Sequence, residues 1–195
     1  MIDLSRTRTR AAQWGELPWR WGEFGESRVP QRLVGHDGPV VSRAVTVQAS
    51  PSVVFRWLCQ LRVAPYSYDL VDNLGRRSPR SLTPGLNSLE VGQRFATIFT
   101  LVDWVPDEMV ALEITEPAGI RLFGRLPLVY QAVALPGDAT SRTTLRGDIA
   151  LPRAESAVAR GRAMALAWGD LVMMRRQLLT LARLSEETAR STRSS

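Results

Sequence analysis

Met164-Ala165-Leu166-Ala167-Trp168-Gly169-Asp170-Leu171-Val172-Met173-Met174-Arg175-Arg176-Gln177-Leu178-Leu179-Thr180-Leu181 is the stretch that decides the fold. Met164, Trp168, Leu171, Met174, Leu178 and Leu181 recur at steps of three and four, the spacing of one helical face. Arg160, Arg175, Arg176 and Arg183 fall mostly off that stripe. The pattern predicts one long helix from about Arg153 to Ser185, with a polar, frayed tail at 186–195. A helix with so long an apolar face needs another layer to bury it.

That layer lies upstream. Arg94 to Val105, Met109 to Thr115, Ile120 to Leu126, Leu128 to Leu135 and Thr140 to Leu151 read as strands. Pro106-Asp107, Pro117-Ala118-Gly119 and Pro136-Gly137-Asp138 punctuate them as turns. Short turns join antiparallel neighbours, so the run predicts a meander. Further upstream, Val40 to Ala49 reads as the first strand, with Val41, Val45 and Val47 on one face and Ser42, Thr46 and Gln48 on the other. Ser50-Pro51 then opens a helix, Ser as N-cap and Pro at the first helical position, with Val54, Leu58 and Leu61 as its apolar stripe. Pro65 ends it, and a short second helix is expected from about Asp69 to Arg76. Residues 78–92, with Pro79, Pro84, Gly85 and Gly92, read as loop.

The expected architecture is α+β: a curved antiparallel sheet of about six to seven strands around a long C-terminal helix, with two short helices after the first strand. Residues 33–185 form that domain. Residues 1–32 form an N-terminal arm rich in Arg, Trp14, Trp19, Trp21 and Phe24, set apart by Pro30 and Gly35-His36-Asp37-Gly38-Pro39. The arm has two readings. Its rings lie on the domain surface, or its Trp and Arg residues meet a partner or a membrane surface.

Composition narrows the function classes. The chain has 195 residues, 45% hydrophobic and 23% charged, as in an ordinary globular protein. No apolar run reaches the ~18 residues of a membrane span. No secretory signal is legible at the N-terminus, and Cys59 is the lone cysteine, so a cytoplasmic location is expected. All 25 basic residues are Arg, which removes Schiff-base chemistry on lysine. The net charge of +6 comes from the ends, since residues 33–150 carry eleven Arg against eleven acids. A nucleic-acid-binding sheet would carry the positive charge itself, so no nucleic-acid partner is expected.

One His and one Cys do not make a zinc site, and no nucleophile elbow or phosphate loop is present, so neither metal nor cofactor is expected. Polar chemistry concentrates in Tyr66-Ser67-Tyr68-Asp69 and Asp72-Asn73-Leu74-Gly75-Arg76. Tyr66 and Tyr68 are candidates to line a pocket mouth and donate to a ligand carbonyl, with Asp69 orienting one of them. Alternatively, the acids, the amide and Arg76 pin the loop to its neighbours, because buried polar groups need partners. Trp104, Arg121, Tyr130, Arg142 and Arg146 stand on strands; facing inward they are ligand-binding handles, facing outward they are surface. Met164 and Trp168 on the last helix are core residues that would also wall a cavity. No residue is assigned a catalytic role.

The order of elements, together with Ala49-Ser50-Pro51, Tyr66-Ser67-Tyr68-Asp69, Asp72-Asn73-Leu74-Gly75-Arg76, Val91-Gly92 and Met173-Met174-Arg175-Arg176-Gln177-Leu178, resembles the START-like helix-grip superfamily, also called SRPBCC. More narrowly, it is similar to an uncharacterised actinobacterial branch whose usual Gly-Trp before Tyr-Ser-Tyr-Asp is replaced here by Ala64-Pro65. The resemblance spans about residues 33–185. It implies an apolar cavity for a small hydrophobic molecule between the sheet and the last helix. Three functions stay open at this level: a binding protein for such a molecule; a polyketide cyclase or aromatase-type enzyme running cofactor-independent cyclisation or dehydration; and an interaction protein using the Trp-rich arm. Oligomeric state is not read from the sequence.

Overall fold

The computed structural model describes residues 17–22, 33, 38–68, 77–96, 98–135 and 142–193. Seven strands form one sheet: β1 (Arg20–Gly22), β2 (Val40–Val47), β3 (Arg94–Phe95), β4 (Phe99–Val105), β5 (Met109–Ile114), β6 (Pro127–Ala134) and β7 (Thr143–Ala150). Their order across the sheet is β1-β2-β7-β6-β5-β4-β3. Every pair is antiparallel except β1 with β2. Three α-helices accompany it: α1 (Pro51–Cys59), extended by a 3-10 turn at Gln60–Arg62, α2 (Pro117–Phe123) and α3 (Ala157–Arg193). The sheet is curved, and α3 lies mainly over β2 and β7 and against α1.

Strand alternation sorts residues as expected. Val41, Arg43, Val45 and Val47 face α3, while Ser42, Ala44 and Thr46 face the other way. On the outer face a second apolar cluster gathers Ala111, Val129 and Ala150 under Leu33. The main core lies between sheet, α1 and α3, where Leu58, Leu145, Leu178 and Leu181 are fully enclosed. Each contributes about 1.5–3 kcal/mol of burial.

Several expectations are corrected. Arg94 to Val105 is not one strand but a hairpin of β3 and β4 turning through Ala96, whose φ is 41°. The turn sets Phe95 beside Phe99 on the inner face, and Ala96 N–H bonds Leu61 C=O at 2.8 Å. Ile120 to Leu126 is not a strand, because Pro117 at the first helical turn and Gly124 at φ 81° bracket helix α2. α3 starts later than Arg153: Ser156 Oγ accepts from the Ala159 N–H at 3.1 Å and caps it there. It also ends later. The tail expected from residue 186 is helical to Arg193 and tied down, with Glu186 accepting from Gln48 N–H at 2.9 Å and Thr188 from Trp57 Nε1 at 3.0 Å.

The boundary at residue 32 does not separate the arm from the sheet, since β1 is its edge strand and Ser42 N–H bonds Trp19 C=O at 2.8 Å. The predicted second short helix lies outside the described residues. Among the described residues, no helix is long and apolar enough to cross a membrane.

Candidate functional site

One row of paired residues crosses the inner face from edge to edge: Trp104 beside Val110, then Tyr130, Gly147, Arg43 and Trp21. Adjacent members stand about 4.8 Å apart, so Tyr130 lies two strands, about 10 Å, from Trp104. Gly147 is the gap in the row. A Cβ there would meet Met174 Sδ at 2.4 Å and Tyr130 Cε1 at 3.3 Å, so the missing side chain lets Met174 of α3 reach the sheet.

Around that gap the otherwise apolar interior turns polar. Arg43 is fully enclosed. Its Nη1 donates to the carbonyls of Trp19 and Ser42, each at 3.0 Å. Its Nη2 donates to Ala167 C=O at 3.0 Å and pairs with Asp170 Oδ2 at 3.0 Å. One guanidinium thus ties β1, β2 and α3 together. Burial pulls Arg43 below its usual range while Asp170 and then Asp148 oppose the shift. Burial pushes the Asp170 carboxyl up to about 6, with Arg43 opposing. Tyr130 donates to Gln177 Oε1, and Gln177 Nε2 donates to Pro65 C=O at 2.6 Å. Burial, then the Asp170 charge, raises the Tyr130 hydroxyl far above its ordinary value. The Tyr130–Gln177–Pro65 chain fastens the Tyr66 segment to the sheet through α3.

The two ends of the inner face differ. Toward α1 and the C-terminal half of α3, Val45, Val47, Trp57, Leu145, Leu178 and Leu181 are buried. At the other end, where α2 lies against Ile114 through Gly119, Ile98, Phe99, Ile120, Phe123 and Leu166 pack on the core but stay half-buried. Trp104, at the sheet margin beyond the short β3, is likewise half-buried.

The candidate residues scatter over this frame. Tyr130 and Trp104 face inward. Tyr66 is buried, edge-on to Trp57 with ring centroids 6.0 Å apart, so it is part of the core wall. Tyr68 is exposed, and Asp69 lies outside the described residues. Arg121 points to solvent from α2 rather than from a strand.

Arg146 is on the outer face, because Gly147 takes the inward position. It grips Asp148 with two bonds of 2.6 Å, and Ser42 Oγ donates to the same carboxylate at 2.5 Å. Met164 and Trp168 are not in the core: they are 40% and 48% exposed, and Ala163 and Ala167 take the inward places. The physical reason is close approach, since Ala167 C=O meets Arg43 directly.

Arg43, Asp170 and Gln177 were missed. Their signal was present: Arg43 shares parity with Val41, Val45 and Val47, and Asp170 and Gln177 interrupt the run of Ala167, Leu171, Met174 and Leu178. Cys59 is buried in α1, where burial pushes its thiol up to about 12. Among the described residues, no group of three or more His, Cys, Asp or Glu is placed to hold a metal.

No family model matches the sequence, and no curated protein matches it. Solved structures do. A protein from Mesorhizobium loti is 17% identical, with TM-score 0.43, over 76% of this chain and 98% of that one. The Zhui aromatase/cyclase from Streptomyces sp. R1128 is 18% identical, with TM-score 0.42, over 78% and 96%. A major latex protein family member from Arabidopsis thaliana is 13% identical, with TM-score 0.37, over 73% and 94%. No residue role passes from them to this chain, because folds of this kind host many activities. The element order and sheet topology, with a curved sheet closing on one long C-terminal helix, are those of the helix-grip fold.

Proposed function

We propose that the chain binds a small hydrophobic molecule between the sheet and α3, admitted at the end lined by Ile98, Phe99, Ile120, Phe123 and Leu166. The supporting observation is that these five large apolar side chains pack on the core yet stay half-buried together at one end of it. Apolar surface left accessible beside a core is where an apolar guest gains about 25 cal/mol per Å² buried. Tyr130 and Asp170 lie further in as polar groups that would orient it.

The test is titration with the neutral fluorescent probe N-phenyl-1-naphthylamine. Saturable binding to the native chain is expected, weakened at least about tenfold by Phe99→Arg and Ile120→Arg, whose charges would stand in the guest's path. No saturable binding, or equal binding by both folded variants, would overturn the reading.

The cyclase alternative draws on one observation: Asp170, with a proton affinity near neutrality, lies close enough to Tyr130 to shift it. Tyr130, however, is hydrogen-bonded to Gln177, not to an acid or an Arg, and this favours binding over proton transfer. The arm alternative is weaker. Trp19 and Trp21 pack against the core, and Arg175 stacks over the Trp21 ring at 5.2 Å.

A further inference from the structure

We infer that the outward side of α3 docks on the surface of an anionic lipid bilayer, a role separate from guest binding on the inward side. Ala163, Ala167, Leu171 and Met174 take the buried positions of this helix. Val158, Gly161, Ala165, Trp168 and Val172 step by three and four along the other side, and all five are exposed. The row is about 21 Å long, at a rise of about 1.5 Å per residue. Met164 stands exposed beside it. A Cβ added at Gly161 or at Gly169 would stand in open space.

Exposed apolar surface is concentrated here. Among the described residues, eleven large hydrophobic side chains are exposed, and five of them, Val158, Met164, Trp168, Val172 and Leu179, lie on α3. The other six are spread over loops and strand ends. An apolar row containing Trp suits the boundary between lipid headgroups and acyl chains, where the ring is buried and its N–H stays wet.

Charge names the kind of surface. From Ala157 to Arg183, α3 carries five Arg, all exposed, and one acid. That acid, Asp170, is turned inward to Arg43. Arg162 and Arg176 flank the row on one side, and Arg175, over the Trp21 ring, flanks it on the other. The face therefore offers apolar groups and positive charge together, the complement of anionic headgroups over hydrocarbon. The same spacing would seat the helix of a second copy. Two such faces, however, would set Arg175 and Arg176 of one chain against those of the other, with no outward acid on this stretch of α3 to separate them. The contact is with the bilayer surface alone, since no helix among the described residues is long and apolar enough to cross a membrane.

The test is co-sedimentation of the full chain with vesicles of phosphatidylcholine alone, or of phosphatidylcholine with about one-third phosphatidylglycerol. Binding to the anionic vesicles is expected to be at least about tenfold tighter than to the neutral ones. A basic chain is drawn to any anionic surface, so the variants decide. Trp168→Gln/Val172→Gln leaves the charge unchanged and should weaken anionic-vesicle binding at least about tenfold. Arg162→Gln/Arg176→Gln should also weaken it about tenfold or more. Arg80→Gln/Arg94→Gln removes the same charge from exposed positions in the 78–92 loop and on β3, and should weaken it less than about threefold. Melting curves confirm that each variant is folded. No binding to anionic vesicles, or losses that follow net charge wherever it is removed while Trp168→Gln/Val172→Gln binds like the native chain, overturns the inference. So does a dimer that Trp168→Gln/Val172→Gln converts to monomer, because the face would then belong to a second copy. None of these outcomes touches binding of N-phenyl-1-naphthylamine, which tests the interior.

Discussion

The two ends of the inner face are made from the same sheet and the same helix, yet they are packed differently. At the α1 end, Trp57, Leu145, Leu178 and Leu181 interlock, and Glu186 and Thr188 lock the end of α3 to the corner between β2 and α1. At the α2 end, Phe95, Leu101 and Ile114 are enclosed too, but Phe99, Ile120, Phe123 and Leu166 stay half-buried. Between them lies the Arg43–Asp170 and Tyr130–Gln177 band. The contrast predicts that stability is concentrated where α3 is clamped, and on the proposed binding reading the other end is where a guest would enter.

Three measurements would break or sharpen that contrast. The largest effect is expected at the clamped end. Trp57→Ala removes a buried ring and the bond to Thr188, so denaturant unfolding should show a loss of about 3–5 kcal/mol. Phe99→Ala at the other end should lose clearly less; equal losses would erase the distinction between the ends.

Next is the gap in the row. Gly147→Ala drives a Cβ toward Met174 Sδ and should destabilise by about 1–2 kcal/mol, since the thioether can swing aside only in part. Adding Met174→Ala should return part of that loss, whereas strict additivity of the two changes would show that the side chains do not compete for the space.

The smallest effect is the pH term of the central band. Burial raises the Asp170 carboxyl in the folded chain to about 6, above its ordinary value of 3.8, so the folded chain holds the proton more tightly. The stability it contributes is therefore present at pH below about 4 and is lost as pH rises through about 6. The stability of the native chain minus that of Asp170→Asn should grow by on the order of 1–2 kcal/mol between pH 6.5 and about 4. A difference that stays flat or shrinks over that range would refute the shift.

Much of this frame could be read from the sequence, and the reasons for the rest are physical. Period-two spacing of Val41, Val45 and Val47 and the three-and-four spacing of the last helix place sheet and helix correctly. Size misled the reading of α3. Met164 and Trp168 look like core, but the helix comes so near β2 that Ala163 and Ala167 must face it. Arg43 was obscured by Arg-rich composition, although its parity with the valines already turned it inward. Helix α2 was hidden because Pro117 and Gly119 read as a turn, when the Pro opens a helical turn and Gly124 closes it. Tyr130 and Trp104 carry no facing signal of their own, and only their pairing with Val110 orients them. Asp69 and its neighbours fall outside the described residues.

Cys59 has a practical consequence. Nucleophilic sulfur must first lose its proton, and this thiol is enclosed in α1 and pushed up to about 12. The native chain is therefore expected to be silent toward alkylating reagents at neutral pH, with its one sulfhydryl reacting only when α1 lifts from the sheet. The rate of maleimide capture therefore serves as a clock for opening of the clamped end, with no label introduced.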